Sequence, residues 1–155
     1  MSSIDDLLDK HDESEKRKAE DNRKRANEYV ERINQARTVV DETIRKTFLP
    51  KLLELEATFK KRGYATKLVL NDPYVESKKE KLIETVSLSF DPFKRNWFAQ
   101  FEIQGVTGSP ELLILSRPVP GEQGKKEKIR CDEITDEFAQ ELLSSFVENA
   151  LVFKH

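Results

Sequence analysis

The side chains able to do chemistry are few and scattered. The single cysteine, Cys131, has no second cysteine to pair with, so a disulfide framework is excluded. As a nucleophile it would need a histidine base within reach. The two histidines, His11 and His155, stand near the chain ends. Asp132 and Glu133 follow Cys131, but no calcium-loop spacing surrounds them. The glycines of GVTGSP and PGEQGKK do not lead into the Gly-Lys-Ser/Thr ending of a phosphate-binding loop. The carboxylate pairs Asp5–Asp6, Asp132–Glu133 and Asp136–Glu137 lie in charged stretches or at helix starts. A general acid needs an apolar setting instead. Glu84 alone breaks a strand alternation: parity with Val86 and Leu88 turns it inward, unless it sits at the strand's fraying start or on a bulge. These residues predict a protein that is not an enzyme and holds no cofactor and no metal.

Two features point instead to binding. The first is DPFKRNWF, residues 91–98, which joins two strands and sets bases beside aromatics. Such a hairpin holds nucleic acid by stacking and phosphate contact. Lys94 and Arg95, with Lys78 and Lys79 of a second basic loop, form a candidate patch, and Lys81, Lys125, Lys126, Lys128 and Arg130 extend it if the topology brings the loops to one edge. The competing reading has Trp97 in the core and lysines solubilising turns. The second feature is an apolar stripe from Ala26 to Val40 that nothing in its own segment covers. Uncovered stripes of that kind mark partner surfaces. Tyr29, Ile33, Val40 and Ile44 are the candidate partner-helix interface.

The elements that position these residues follow from periodicity and breakers. All five glycines and five of the six prolines fall after residue 62, so the first part is helical or disordered and not a sheet. Residues 1–25 are almost bare of apolar side chains and read as a charged arm, frayed or disordered. From Ala26 the stripe advances by 3.5 residues per step as far as Val40, a coiled-coil seam lasting only about two heptads. From Val40 to Phe59 it advances by 3.8, which holds no left-handed seam and suits packing on the chain's own core. Pro50 falls near the join and predicts a kink, or a second helix starting near Thr47. KKRG closes the helix, with Lys60, Lys61 and Arg62 against the dipole and Gly63 as the left-handed cap.

After Gly63 the period becomes two. Strands are expected around residues 64–70, 82–90, 96–104 and 111–116, the last covered on both faces, with a short fifth around Ile129. In the third, Trp97, Ala99, Phe101 and Ile103 face inward. The connections, among them Asp72-Pro73 and Asp91-Pro92, are too short for a crossover helix, so the sheet is an antiparallel meander. The chain closes with a helix capped by Thr135, whose wide apolar stripe packs on the sheet.

The expected fold class is α+β: a long N-terminal helix kinked or split near Pro50, a four- to five-stranded antiparallel meander, and a C-terminal helix on the sheet. Residues 26–155 form one domain whose first helix, 26–62, projects beyond the core. That order of elements also occurs in secretion chaperones, small adaptor domains and ligand-binding folds, a likeness of fold order alone.

Composition limits the function further. Hydrophobic residues are 37% and charged residues 36%, against about 45–50% and 25% in typical globular chains; the excess charge must sit outside a packed core. No stretch is apolar enough to span a bilayer, and the acidic opening MSSIDDLLDKHDESE is unlike a secretory leader, so a cytoplasmic setting is expected. The net charge of −2 argues against nucleic-acid binding by the chain as a whole. It is unevenly spread: residues 132–155 carry −5, and 26–131 are mildly basic. The expected function is that of an interaction, adaptor or chaperone-like protein, a homodimer or partner of another protein through its N-terminal helix. A nucleic-acid module using the basic loops, and a carrier of a small apolar ligand held between sheet and helices, are the alternatives.

Overall fold

The computed structural model describes residues 3–71 and 82–152. The chain divides into two compact units, Met1–Asn34 and Gln35–His155. The first unit is the outer part of helix α1 (Ile4–Thr43). Asp5 and Asp6 occupy its first turn, where carboxylates complement the helix dipole. Residues 3–34 are exposed, apart from half-buried Ile33.

The second unit begins in the last turns of α1, and the helical segment continues through a π-helical turn, Ile44–Phe48, into α2 (Leu49–Lys61). Pro50 explains the turn. Its ring lacks an N–H and crowds the carbonyl four residues back. Just before it the ladder widens, and the Leu49 N–H reaches the Ile44 carbonyl, five residues away. The proline is thereby placed in the first turn of α2. The wide turn also accounts for the lengthened stripe. Val40, Ile44, Phe48 and Leu52, each four apart, drift round an ideal α-helix. With one π turn among them, all four are buried in the core. At the far end the Gly63 N–H donates to the Lys60 carbonyl (3.0 Å) and the Tyr64 N–H to that of Phe59 (2.9 Å). These are the two bonds of a Schellman cap, with Gly63 at φ +82°.

The sheet is the expected meander, five strands in the order β1-β2-β3-β4-β5, every pair antiparallel. The strands are β1 (Thr66–Leu70), β2 (Thr85–Phe90), β3 (Ala99–Gly105), β4 (Glu111–Arg117) and β5 (Lys125–Arg130). Asp72-Pro73 lies outside the described residues. Helix α3 (Asp136–Val152) follows a short 3-10 turn at Cys131–Glu133. The Thr135 hydroxyl accepts from the Phe138 N–H at 3.0 Å, the predicted N-cap.

One face of the sheet is packed. Val86, Leu88 and Phe90 of β2, Ala99, Phe101 and Ile103 of β3, and Leu112 and Ile114 of β4 meet the helices there. α3 contributes Ala139, Leu143, Phe146 and Ala150. Phe59 stacks on Phe90, with centroids 4.1 Å apart, and Phe146 meets Phe90 edge-on at 5.8 Å. Burying each such ring is worth about 1.5–3 kcal/mol. β4 is not covered on both faces as its apolar run suggests. Leu112 and Ile114 are buried, whereas Leu113 and Leu115 lie half-buried on the opposite face, opposite Lys128 and Lys126 of β5. Their lysine neighbours on the edge strand supply the polar cover. Trp97 also departs from its parity. β3 begins only at Ala99, so Trp97 belongs to the preceding turn and is half-buried.

Candidate functional site

The reactive groups singled out from the sequence are placed in structural roles. Cys131 is buried, and desolvation pushes its thiol above the ordinary value of 9.0. Asp132 and Glu111 push the same way, while a hydrogen bond with Thr43 works against them. A neutral, buried thiol is a poor nucleophile. His155 lies outside the described residues. Among the described residues no three of His, Cys, Asp and Glu come together as a metal cage. Asp136 and Glu137 sit in the first turn of α3, and Asp136 also meets Lys51 of α2 at 3.4 Å.

Glu84 does not face the core. It stands one residue before β2, half-buried, with its carboxylate accepting from Arg37 Nε. Among the described residues two carboxylates do enter the interior, Asp91 and Asp41, and the second carried no sequence signal of its own. Asp41 Oδ1 accepts from the Ile83 N–H (2.7 Å) and from Arg45 Nε (2.8 Å). It ties the last turn of α1 to the start of β2. Asn71 makes a second fastening: its Oδ1 accepts from the Glu84 N–H at 2.7 Å and its Nδ2 donates to the Leu82 carbonyl at 2.7 Å.

The proposed partner interface is divided by the fold. Tyr29 is 59% exposed and Ile33 half-buried. Val40 (3% exposed) and Ile44 (0%) are in the chain's own core and cannot serve a partner helix. The correction has a direct cause: a heptad-like spacing shows which residues share a face, not what meets that face. Val40 is met by the sheet. A Cβ on Gly105, at the end of β3, would lie 2.9 Å from Val40 Cγ1, so glycine is what lets helix and sheet approach.

Of the basic patch, Lys78, Lys79 and Lys81 lie outside the described residues, while Lys94 and Arg95 are exposed. Their turn is held from within. Buried Asp91 accepts from the Arg95 N–H (3.3 Å) and the Asn96 N–H (2.8 Å), and Lys94 and Asn96 adopt φ of 55° and 60°. Lys94 Nζ lies 3.7 Å from where a Cβ on Gly63 would stand, which brings the turn to the basic end of α2. The row one residue in from the last pair before this turn, Phe90–Ala99, is Lys67–Ser89–Gln100–Arg117, running across four strands. Its outward side chains include no carboxylate. At about 4.8 Å per strand, Lys67 and Arg117 are about 14 Å apart. Neither they nor Lys94 and Arg95 form an ion pair with another described residue. The bases of β5 have a simpler role, since lysines on an edge strand oppose pairing with other chains. Lys67 and Arg117 were missed because a lone base on the polar phase of a strand gives no hint of its neighbours until register is known.

A groove of about 490 Å³ runs between α2 and α3, floored by Leu55, Leu143 and Val147, with Lys51, Glu54 and Glu148 among its polar walls. No sheet residue lines it. It is therefore not the expected cavity between sheet and helices.

No helix among the described residues is long and apolar enough to cross a membrane. Comparison with family models, with curated proteins and with solved structures finds no match for this chain.

Proposed function

We propose that this chain is a non-enzymatic interaction protein, cytoplasmic, in which the Gln35–His155 unit is a folded scaffold and the outer part of α1 is the docking segment. One observation supports this best. Ala26, Tyr29, Val30 and Ile33 share one face of α1 at helical spacing, and within the chain only Ile33 is even half-covered. A helix this exposed gains little from its own chain, and most helical stability in proteins comes from packing. A second helix laid along these residues supplies that packing over little more than one heptad. The simplest such helix is the same segment of a second copy, giving a parallel or antiparallel coiled-coil homodimer.

Light scattering on a sizing column tests the proposal on the full chain. The expected mass is twice 18.0 kDa, falling to the single-chain mass in Tyr29→Asp/Ile33→Asp with the tryptophan fluorescence of the scaffold unchanged. A monomeric wild type, or a dimer that survives both substitutions, overturns the homodimer.

A further inference from the structure

We propose that the sheet end carrying the 91–98 turn is a binding site for single-stranded nucleic acid. The site lies wholly in the Gln35–His155 unit and is independent of the docking helix. Three separate stretches of chain meet there: the basic end of α2, the row from Lys67 to Arg117, and the turn bearing Lys94 and Arg95. The whole chain is acidic, yet of the cations at this end Lys67, Lys94, Arg95 and Arg117 make no ion pair with another described residue, while Lys60 of α2 is paired with Glu56 at 3.6 Å. Asp91, the carboxylate inside the turn, is buried and engaged by backbone N–H groups, so it does not neutralise the surface.

A purely electrostatic patch would suit any polyanion. Two features favour single strands. Phe98 is 37% exposed next to the bases, so an unpaired base has an aromatic face to stack on. Ser89 and Gln100, both half-buried, lie between Lys67 and Arg117, offering hydrogen bonds to base edges or sugar across the sheet. A duplex hides its bases from such a surface. Arg117 Nε is buried and without a hydrogen-bond partner among the described residues, which leaves this guanidinium available to turn towards a phosphate.

Fluorescence anisotropy of the full chain with labelled single-stranded 20-mers of uridine and of deoxythymidine, a 20-bp duplex, and vesicles with phosphatidylserine tests this. Binding of both single strands, tighter than duplex and vesicles, is expected. Four phosphate contacts predict a log–log salt slope of about −3, or roughly a 50-fold loss from 50 to 200 mM salt. Lys94→Glu/Arg95→Glu should weaken binding at least tenfold. The exposed-strand variant Lys67→Glu serves as an independent second test, and Phe98→Ala should cost about fivefold or more through lost stacking. Circular dichroism checks that each variant is folded. No binding at 50 mM salt overturns the proposal. So does equal affinity for vesicles or duplex, or binding that folded charge-reversed variants retain.

Discussion

Helix α1 is one continuous element with two different fates. Tyr29 and Ile33 lie at the same kind of helical spacing as Val40 and Ile44, yet the first pair is exposed or half-buried and the second pair is core. Both sides of residue 35 set apolar side chains on one face of the helix, and the sheet meets the second stretch at Val40. A hydrophobic stripe is therefore a statement about geometry within a helix, and burial is decided by whatever element approaches it. Here the approach is at Gly105 and through the Asp41 carboxylate.

The contrast is broken most severely by placing a charge on each side. Val40→Asp buries an unpaired carboxylate and should cost about 4 kcal/mol or more in urea unfolding, a large share of the 5–15 kcal/mol typical of a domain. Tyr29→Asp should change unfolding of the same unit by no more than about 0.5 kcal/mol. Comparable losses would mean that the two stretches are not distinct. Asp41→Ala strands the Ile83 N–H and should cost about 1–3 kcal/mol, whereas Glu31→Ala, at an exposed site, should be near neutral.

A subtler variant tests the approach itself. Gly105→Ala sets a methyl 2.9 Å from Val40 Cγ1 and should destabilise by about 1–3 kcal/mol. Val40→Ala in the same chain should recover part of that, and strict additivity in the double-mutant cycle would show that the two groups do not meet. The smallest effect is expected at Cys131. Its folded thiol titrates above 9.0, so the unfolded chain loses its proton first. The stability this contributes is complete below pH 9 and is lost as pH rises through the folded value. Cys131→Ala should flatten the alkaline decline relative to wild type; an identical decline in both would place the thiol in a solvated setting.

Much of the fold was legible because the signals were local. Gly63 after three bases marks a helix end by its own backbone geometry, and Thr135 before two acids marks a start. Period-two runs set Val86, Leu88 and Phe90 on one face without reference to any neighbour. What escaped depended on pairing between distant residues. The row joining Lys67 to Arg117 exists only in the register, and the role of Asp41 exists only because Ile83 arrives 42 residues later. Trp97 failed for a related reason: parity was extended past Ala99, where the ladder stops and Asp91 takes over the backbone. The basic site was half visible, in Lys94 and Arg95, since a turn is a local object and a sheet face is not.

The π turn at Ile44–Phe48 makes residue number a rotational setting. An α-helix advances about 100° per residue; the wide turn absorbs one residue of that advance, which keeps Val40 on the same side as Phe48 and Leu52. Removing one residue from the turn would restore a plain α-helix and leave Val40 on the sheet, whereas adding one between Val40 and Ile44 would swing Val40 away by roughly 100°. A deletion inside the turn and an insertion just before it are therefore opposite in effect: the first is absorbed, and the second acts like the index ring on a dial.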